Sequence, residues 1–192
     1  SRDQLLAIQH ELDIAQSIQM SMLPKKFPAF PDRKEFDIHA AMTPAKEVGG
    51  DFYDFFLVDH DHLGFAIGDV SGKGVPAALF MAVCKTVLKT TALKGLPPDQ
   101  CLAQVNRILY MESVASMFVT VFYGIMDVKS GEVTYCSGGH LPPYRIGKNG
   151  TVNAVETTGG LALGLMADAA YATKAMRLAK GEGFFLFTDG IS

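Results

Sequence analysis

The 192-residue sequence predicts an α+β fold built mainly on antiparallel strands. Three observations lead there. Strand-like runs outnumber helical ones. Most successive runs are separated by only a few turn residues, as hairpins require. Helical patterns occupy residues 4–23, 75–91 and the stretch after Asp99, so they do not alternate with strands as a doubly wound parallel sheet demands. With 48% hydrophobic and 19% charged residues, the composition is that of an ordinary globular domain. A chain this long buries roughly 70% of its surface on folding, enough for a real core.

In residues 4–23, Leu5, Ile8, Leu12 and Ala15 follow a 3-4-3 spacing, the stripe drifts to Ile18 and Met22, and Pro24 ends the helix. Two readings stand: a coiled-coil linker or dimer seam, or a helix packed on its own domain. We divide the chain accordingly into a helix over 1–24 and a globular domain over 25–192. Prolines and charges make 25–35 a loop, and Phe36 to Met42 reads as a strand. Asp51–Val58 and Leu63–Val70 read as strands joined by the turn Asp59-His60-Asp61-His62. Alternation places Asp51, Tyr53 and Phe55 on one face and Asp54 on the other.

Val75 to Thr91 reads as a helix, apolar nearly all round and therefore buried. Pro76 suits its first turn. Asp99 is a candidate N-cap for a further helix striped by Leu102, Val105 and Leu109. The β-branched and aromatic run Met117–Asp127 predicts a strand, turned by Lys129-Ser130-Gly131 into Glu132–Ser137. Tyr144–Ile146 and Thr151–Val155 flank the Asn149-Gly150 turn signal. Ala172–Leu178 and Phe184–Asp189 look like one more hairpin around Lys180-Gly181.

The net charge of −3 argues against a nucleic-acid footprint, which needs a basic face. No apolar run reaches the 18 residues of a membrane span. Cys84, Cys101 and Cys136 are odd in number and widely spaced, so they read as reduced thiols of a cytoplasmic protein. The chain opens within a helix and stops just after a strand-like run, so both ends look cut from something longer.

Three aspartates stand beside glycine at strand ends: Gly49-Gly50-Asp51, Gly68-Asp69-Val70 and Thr188-Asp189-Gly190. Glycine admits a close backbone approach, and gathered carboxylates suit Mg²⁺ or Mn²⁺, which take oxygen ligands and water. Asp-Gly is also ordinary turn chemistry. Gly68-Asp69-Val70-Ser71-Gly72-Lys73-Gly74 is not a phosphate loop, because the spacing is one short and Gly74 stands where Ser or Thr is required. His60-Asp61-His62 sits in a polar turn and reads as a solvated loop.

The ordered set Glu47-Val48-Gly49-Gly50-Asp51-Phe52-Tyr53-Asp54, Gly68-Asp69-Val70-Ser71-Gly72-Lys73-Gly74-Val75-Pro76-Ala77-Ala78, Met117-Phe118-Val119-Thr120, Ser137-Gly138-Gly139-His140-Leu141-Pro142-Pro143, Leu163-Gly164 and Phe187-Thr188-Asp189-Gly190 resembles the SpoIIE/RsbU branch of the PP2C (PPM) phosphatases. Ile18-Gln19 with Leu23-Pro24 is similar to that family's entry helix, so the resemblance covers residues 11–192.

The resemblance implies a central antiparallel β-sandwich flanked by helices, in an α-β-β-α arrangement. It implies hydrolysis of phosphoserine or phosphothreonine with two Mn²⁺ or Mg²⁺ ions, which activate water and offset charge at phosphorus. By motif match, Asp51, Asp69, the Val70 carbonyl and Asp189 would form the metal site, with Asp51 and Asp69 central to catalysis. Lys46 could meet the substrate phosphate, or be a solvated lysine. His140 could meet substrate, or be a hydrogen-bonded loop histidine. Family members continue past Thr-Asp-Gly to a final strand bearing one more aspartate ligand, so the last C-terminal elements are expected to be missing here. The implied partners are a phosphorylated STAS-type anti-sigma-factor antagonist, an upstream sensor or receiver domain, and a second copy through the first helix. The alternative is a catalytically degenerate dimerisation or regulatory scaffold.

Overall fold

The computed structural model describes residues 1–43, 48–112 and 116–189. Helix α1 spans Arg2–Ser21 and precedes a loop that leads to strands β1 (Asp51–Asp59) and β2 (His62–Val70). Helices α2 (Gly74–Ala92) and α3 (Pro98–Glu112) follow, then β3 (Val119–Asp127), β4 (Glu132–Gly138), β5 (Tyr144–Ile146), β6 (Val152–Ala154), β7 (Lys174–Arg177) and β8 (Gly183–Phe185). Every ladder between these strands is antiparallel. One sheet has the order β1-β2-β3-β4-β7, the other β6-β5-β8.

Alternation sorts each strand's side chains into two cores. One face of the large sheet offers Phe52, Phe56, Ala66, Val70, Val121, Tyr123 and Cys136 to Ala77, Met81, Cys84 and Leu88 of α2 and to Cys101, Leu102, Val105 and Leu109 of α3. The opposite face offers Phe122, Val133 and Tyr135, joined by Phe65, Ile67 and Met176, to Val155, Phe184 and Leu186 on the side of the small sheet. Phe65 and Phe184 meet across this second core at 6.2 Å. The layers therefore run helices, large sheet, small sheet. All three cysteines are free and buried, and burial pushes Cys84 and Cys101 up to about 12 and Cys136 up to about 11. These are inert thiols rather than nucleophiles.

Four local expectations change. Residues 36–42 form no strand. Their side chains pack instead of their backbone pairing: Phe36 meets Phe30 at 5.6 Å, Arg33 lies over the Phe36 ring, and the Asp37 carboxylate accepts from the Ile38 amide. Phe27 and Phe30 cover Phe55 of β1, so this loop closes one side of the edge strand. Helix α3 starts at Pro98, which puts Asp99 inside its first turn rather than at the cap.

The runs around Lys180-Gly181 do not form a hairpin. β7 joins β4 in the large sheet, while β8 joins β5 in the small one, so this turn carries the chain between layers. Finally, α2 is buried along one face only. Val75, Leu79 and Val83 are exposed, because the helix is the outermost layer. By length and composition α2 could cross a bilayer, contrary to the reading from apolar runs, since an 18-residue window averages a hydropathy of 1.3. Its packing on β1, β2 and α3 accounts for the apolar residues of its buried face.

One charged contact crosses the helix-facing core. Lys85 of α2 meets Asp54 of β1 at 3.1 Å, with side chains only 10% and 3% exposed. Asp54 also accepts from the Phe55 amide. Removing one partner of such a pair strands a buried charge. Lys85→Met alone is expected to cost about 3–5 kcal/mol in urea unfolding, whereas Lys85→Met with Asp54→Leu is expected to recover most of that loss. A single-mutant loss below about 1 kcal/mol, the size of an exposed ion pair, would show that the pair is not buried in solution.

Candidate active site

The β1–β2 register sets Asp51 directly opposite Asp69. Residues paired in this way share a face, so both carboxylates point to the side of the sheet that carries Phe65 and Ile67, toward the small sheet. Asp189 arrives from that second sheet, four residues beyond the end of β8 at Phe185. The three carboxylates meet where the two layers come together. Asp51 and Asp189 both reach hydrogen-bonding contact with Asp69. The Thr188 hydroxyl donates to Asp51 Oδ2 at 2.7 Å, a second tie between the sheets.

Burial, then the hydrogen bond and like charge of Asp51, then the charge of Asp189, push the Asp69 carboxyl up to about 7. Such repulsion is what a bound cation relieves. The backbone fits one as well. Val70 donates its amide to the Gly50 carbonyl, and a side chain on Gly50 would put its Cβ 2.9 Å from the Val70 carbonyl oxygen. Glycine at 50 thus keeps open the space beside the Val70 carbonyl. The donors are all hard oxygens, which suits Mg²⁺ or Mn²⁺. Among the described residues, no three His, Cys, Asp or Glu side chains close a coordination sphere by themselves. An octahedral ion that keeps several waters needs only one or two carboxylates, so this set can still serve.

The glycine of Gly68-Asp69 has another role than the one expected. A Cβ there would meet the Phe52 ring at 2.5 Å, so this glycine admits an aromatic ring rather than an ion. His140 is buried, with Nδ1 3.1 Å from the Thr120 hydroxyl and Nε2 3.0 Å from the Phe187 carbonyl. Burial lowers its pKa, against the pull of that carbonyl and of Asp51 and Asp189. Lys46 lies outside the described residues.

Other residues at the site escaped the sequence reading. Gln19 of α1 grips the backbone at Gly49, its amide donating to the Gly49 carbonyl and accepting from the Gly49 amide at 3.1 Å. It is buried on an otherwise largely exposed helix. The Ile18-Gln19 signature was the visible trace of this contact. Thr188 was visible only as part of the motif around Asp189. Thr120 gave no signal of its own. Around the β1–β2 turn, His60 pairs with Asp61 and His62 with Asp59, in keeping with a solvated loop.

The sandwich and its acidic seam define a PP2C-type phosphatase domain. The family described as Stage II sporulation protein E (SpoIIE) matches residues 59–192, and the chain belongs to that family. It is 37% identical over 186 residues to the phosphoserine phosphatase RsbU of Bacillus subtilis, covering 96% of this chain and 54% of RsbU. It is 30% identical to protein IcfG of Synechocystis, covering 95% of this chain and 32% of that protein. The chain thus spans about half or less of these relatives. Among solved structures, the RsbU and RsbW domains of Rv1364c from Mycobacterium tuberculosis superpose with a TM-score of 0.66 at 32% identity, over 79% of this chain and 41% of that one. The SiaA PP2C domain of Pseudomonas aeruginosa superposes with a TM-score of 0.77 at 21% identity, over 94% and 71%, which shows the fold.

A pH dependence follows from Asp69. Its folded pKa of about 7 exceeds the roughly 3.9 of an unfolded aspartate, so between those values the native state holds a proton that the unfolded chain has released. Raising the pH through that window therefore removes stability from the metal-free protein. Asp69→Asn removes this contribution. In chelator, its stability relative to wild type is expected to rise from pH 4 to pH 7 and to level off above, as read by urea unfolding at each pH. A constant difference across that range would show that Asp69 is not crowded.

Proposed function

We infer that this domain hydrolyses phosphoserine or phosphothreonine on a regulatory protein, with Mn²⁺ or Mg²⁺ as cofactor. The observation that carries the reading is the convergence of Asp51, Asp69 and Asp189 from two sheets onto one seam. The identity to a phosphoserine phosphatase over nearly the whole chain supports it. Asp51, Asp69, Asp189 and the Val70 carbonyl would hold the ions, and Asp51 and Asp69 would be the catalytic pair. Bound ions would supply an activated water and offset charge on the phosphoryl group. Among the neighbouring folds is RsbX in complex with magnesium, at a TM-score of 0.62. The chain's own acids orient that chemistry: Thr188 fixes one Asp51 oxygen, and the β1–β2 register fixes Asp51 against Asp69.

By family resemblance, the substrate is a STAS-type anti-sigma-factor antagonist, and the domain is the output of a longer signalling protein with a sensor or receiver domain upstream. Gln19 supports the coupling, because it ties α1 to the glycines that precede Asp51. The exposed Leu5, Ile8, Ile14 and Ile18 on α1 suit a second copy of the helix. If deletion of residues 1–16 left dimerisation and regulated activity of the full-length protein unchanged, that coupling would be wrong. The same exposed stripe favours the scaffold reading, in which the domain binds a partner and turns nothing over.

Hydrolysis of p-nitrophenyl phosphate with Mn²⁺ separates the two. The full-length protein is expected to show metal-dependent turnover that chelator abolishes. Asp69→Asn is expected to lower kcat more than about 100-fold, beyond what loss of an outer-shell partner costs. A full-length wild type without turnover at any Mn²⁺ concentration would favour the scaffold.

A further inference from the structure

His140 sits at the seam between the sheets, and both its ring nitrogens and its carbonyl are engaged within the chain. It is 7% exposed, although Gly139 and Leu141 on either side are exposed. Its Nε2 lies 3.0 Å from the Phe187 carbonyl oxygen. A carbonyl only accepts, so Nε2 carries the hydrogen. Its Nδ1 lies 3.1 Å from the Thr120 hydroxyl, which also lies 3.4 Å from the Asp69 carbonyl. The His140 carbonyl in turn accepts from the Ser137 hydroxyl at 3.2 Å. Neither ring nitrogen is left for a substrate or a metal ion.

The two partners lie on opposite sides of the seam, Thr120 in the large sheet and Phe187 two residues past the end of β8. Thr120 of β3 pairs with Asp69 in the β2–β3 ladder. Phe187 immediately precedes Thr188, which holds Asp51, and Asp189 follows. Among the described residues, no backbone ladder joins the two sheets. The position of the Asp189 strand end relative to Asp69 therefore depends on side chains that cross the seam, and the imidazole is one of them.

We propose that His140 is a positioning residue, a strut that fixes the Phe187–Asp189 segment against Asp51 and Asp69 and so sets how tightly the acidic seam holds a divalent cation. It does not touch the substrate. The proposal rests on the metal-site reading of the acids, but its readout is binding rather than turnover.

Calorimetric titration of Mn²⁺ into full-length wild type, His140→Gln and His140→Asn tests it, alongside KM for p-nitrophenyl phosphate. A glutamine amide reaches the Nε2 position and can donate to the Phe187 carbonyl, while an asparagine amide reaches only the Nδ1 position. His140→Gln is expected to keep the Mn²⁺ Kd within about threefold, and His140→Asn to weaken it about 10-fold or more, as loss of an outer-shell partner does. KM should stay within about twofold for both. An unchanged Kd in His140→Asn with a raised KM would make His140 a substrate contact and overturn the proposal. Equal losses in the Gln and Asn variants would reduce it to generic packing and overturn it too, as would a wild type that binds no Mn²⁺. If His140→Asn fails to fold, His140→Leu, which fills the space without a donor, decides: a Kd about 10-fold weaker supports the strut, and an unchanged Kd overturns it. A wild type that binds Mn²⁺ without turnover would refute the phosphatase reading and leave the Kd comparison intact.

Discussion

The crowding of like charge at Asp69 is the constraint around which this domain is arranged. Two unit charges about 4 Å apart repel by about 4 kcal/mol at an effective dielectric of 20. That exceeds the worth of any single surface ion pair in the molecule. Burial first, and then the neighbouring Asp51 and Asp189, push the Asp69 carboxyl up to about 7, so without a cation the chain holds a proton there. A fold that only needed stability would separate these groups. Here the antiparallel register instead brings Asp51 onto Asp69, and the second sheet adds Asp189.

Much of the surrounding structure serves to keep that arrangement in place. The Lys85–Asp54 pair anchors α2 to the strand that carries Asp51, three residues away. Asn106, wholly buried on α3, accepts from the Gly164 amide at 2.8 Å and donates to the Met166 carbonyl at 2.7 Å. That fixes the loop whose Leu163 pairs with Val119, next to Thr120. Each of these polar groups is buried and satisfied, which is the condition under which burying polarity specifies a structure rather than weakening it.

The parts of the fold legible in the sequence are those set by short-range pattern. The β1–β2 hairpin, β3, β4 and the Asn149-Gly150 turn follow from alternation and turn chemistry, and the three aspartates stood out because each lies beside glycine. What stayed hidden depends on partners distant along the chain. β7 and β8 look like one hairpin locally, and only the free edges of β4 and β5 send them to different sheets. The run 36–42 has strand-like residues, but its rings find Phe30 and its backbone finds no ladder. The exposed side of α2 cannot be seen in a helix whose residues are apolar all round, because burial depends on how many layers cover it. Gln19 and Gly49, 30 residues apart, and His140 and Phe187, 47 apart, meet only once both sheets are in place.

Because the acids come from both sheets, the site and the sandwich form together. Asp51 and Asp69 are set by the ladder of a five-stranded sheet, whose pairing is extensive. Asp189 follows a three-residue strand of a three-stranded sheet, held to the rest by packing around Phe184 and by side-chain contacts through Thr188 and His140. Local opening draws on the least-paired elements first. The strand end carrying Asp189 is therefore the part of the site that can separate from the others without unfolding the large sheet. A cation bridging the sheets would bind only the closed arrangement and stabilise it by mass action. Control of such a domain then needs no lid over the acids. It needs only a change in how firmly the small sheet, or the Gly49–Asp51 end of β1 held by Gln19, is kept in register with Asp69.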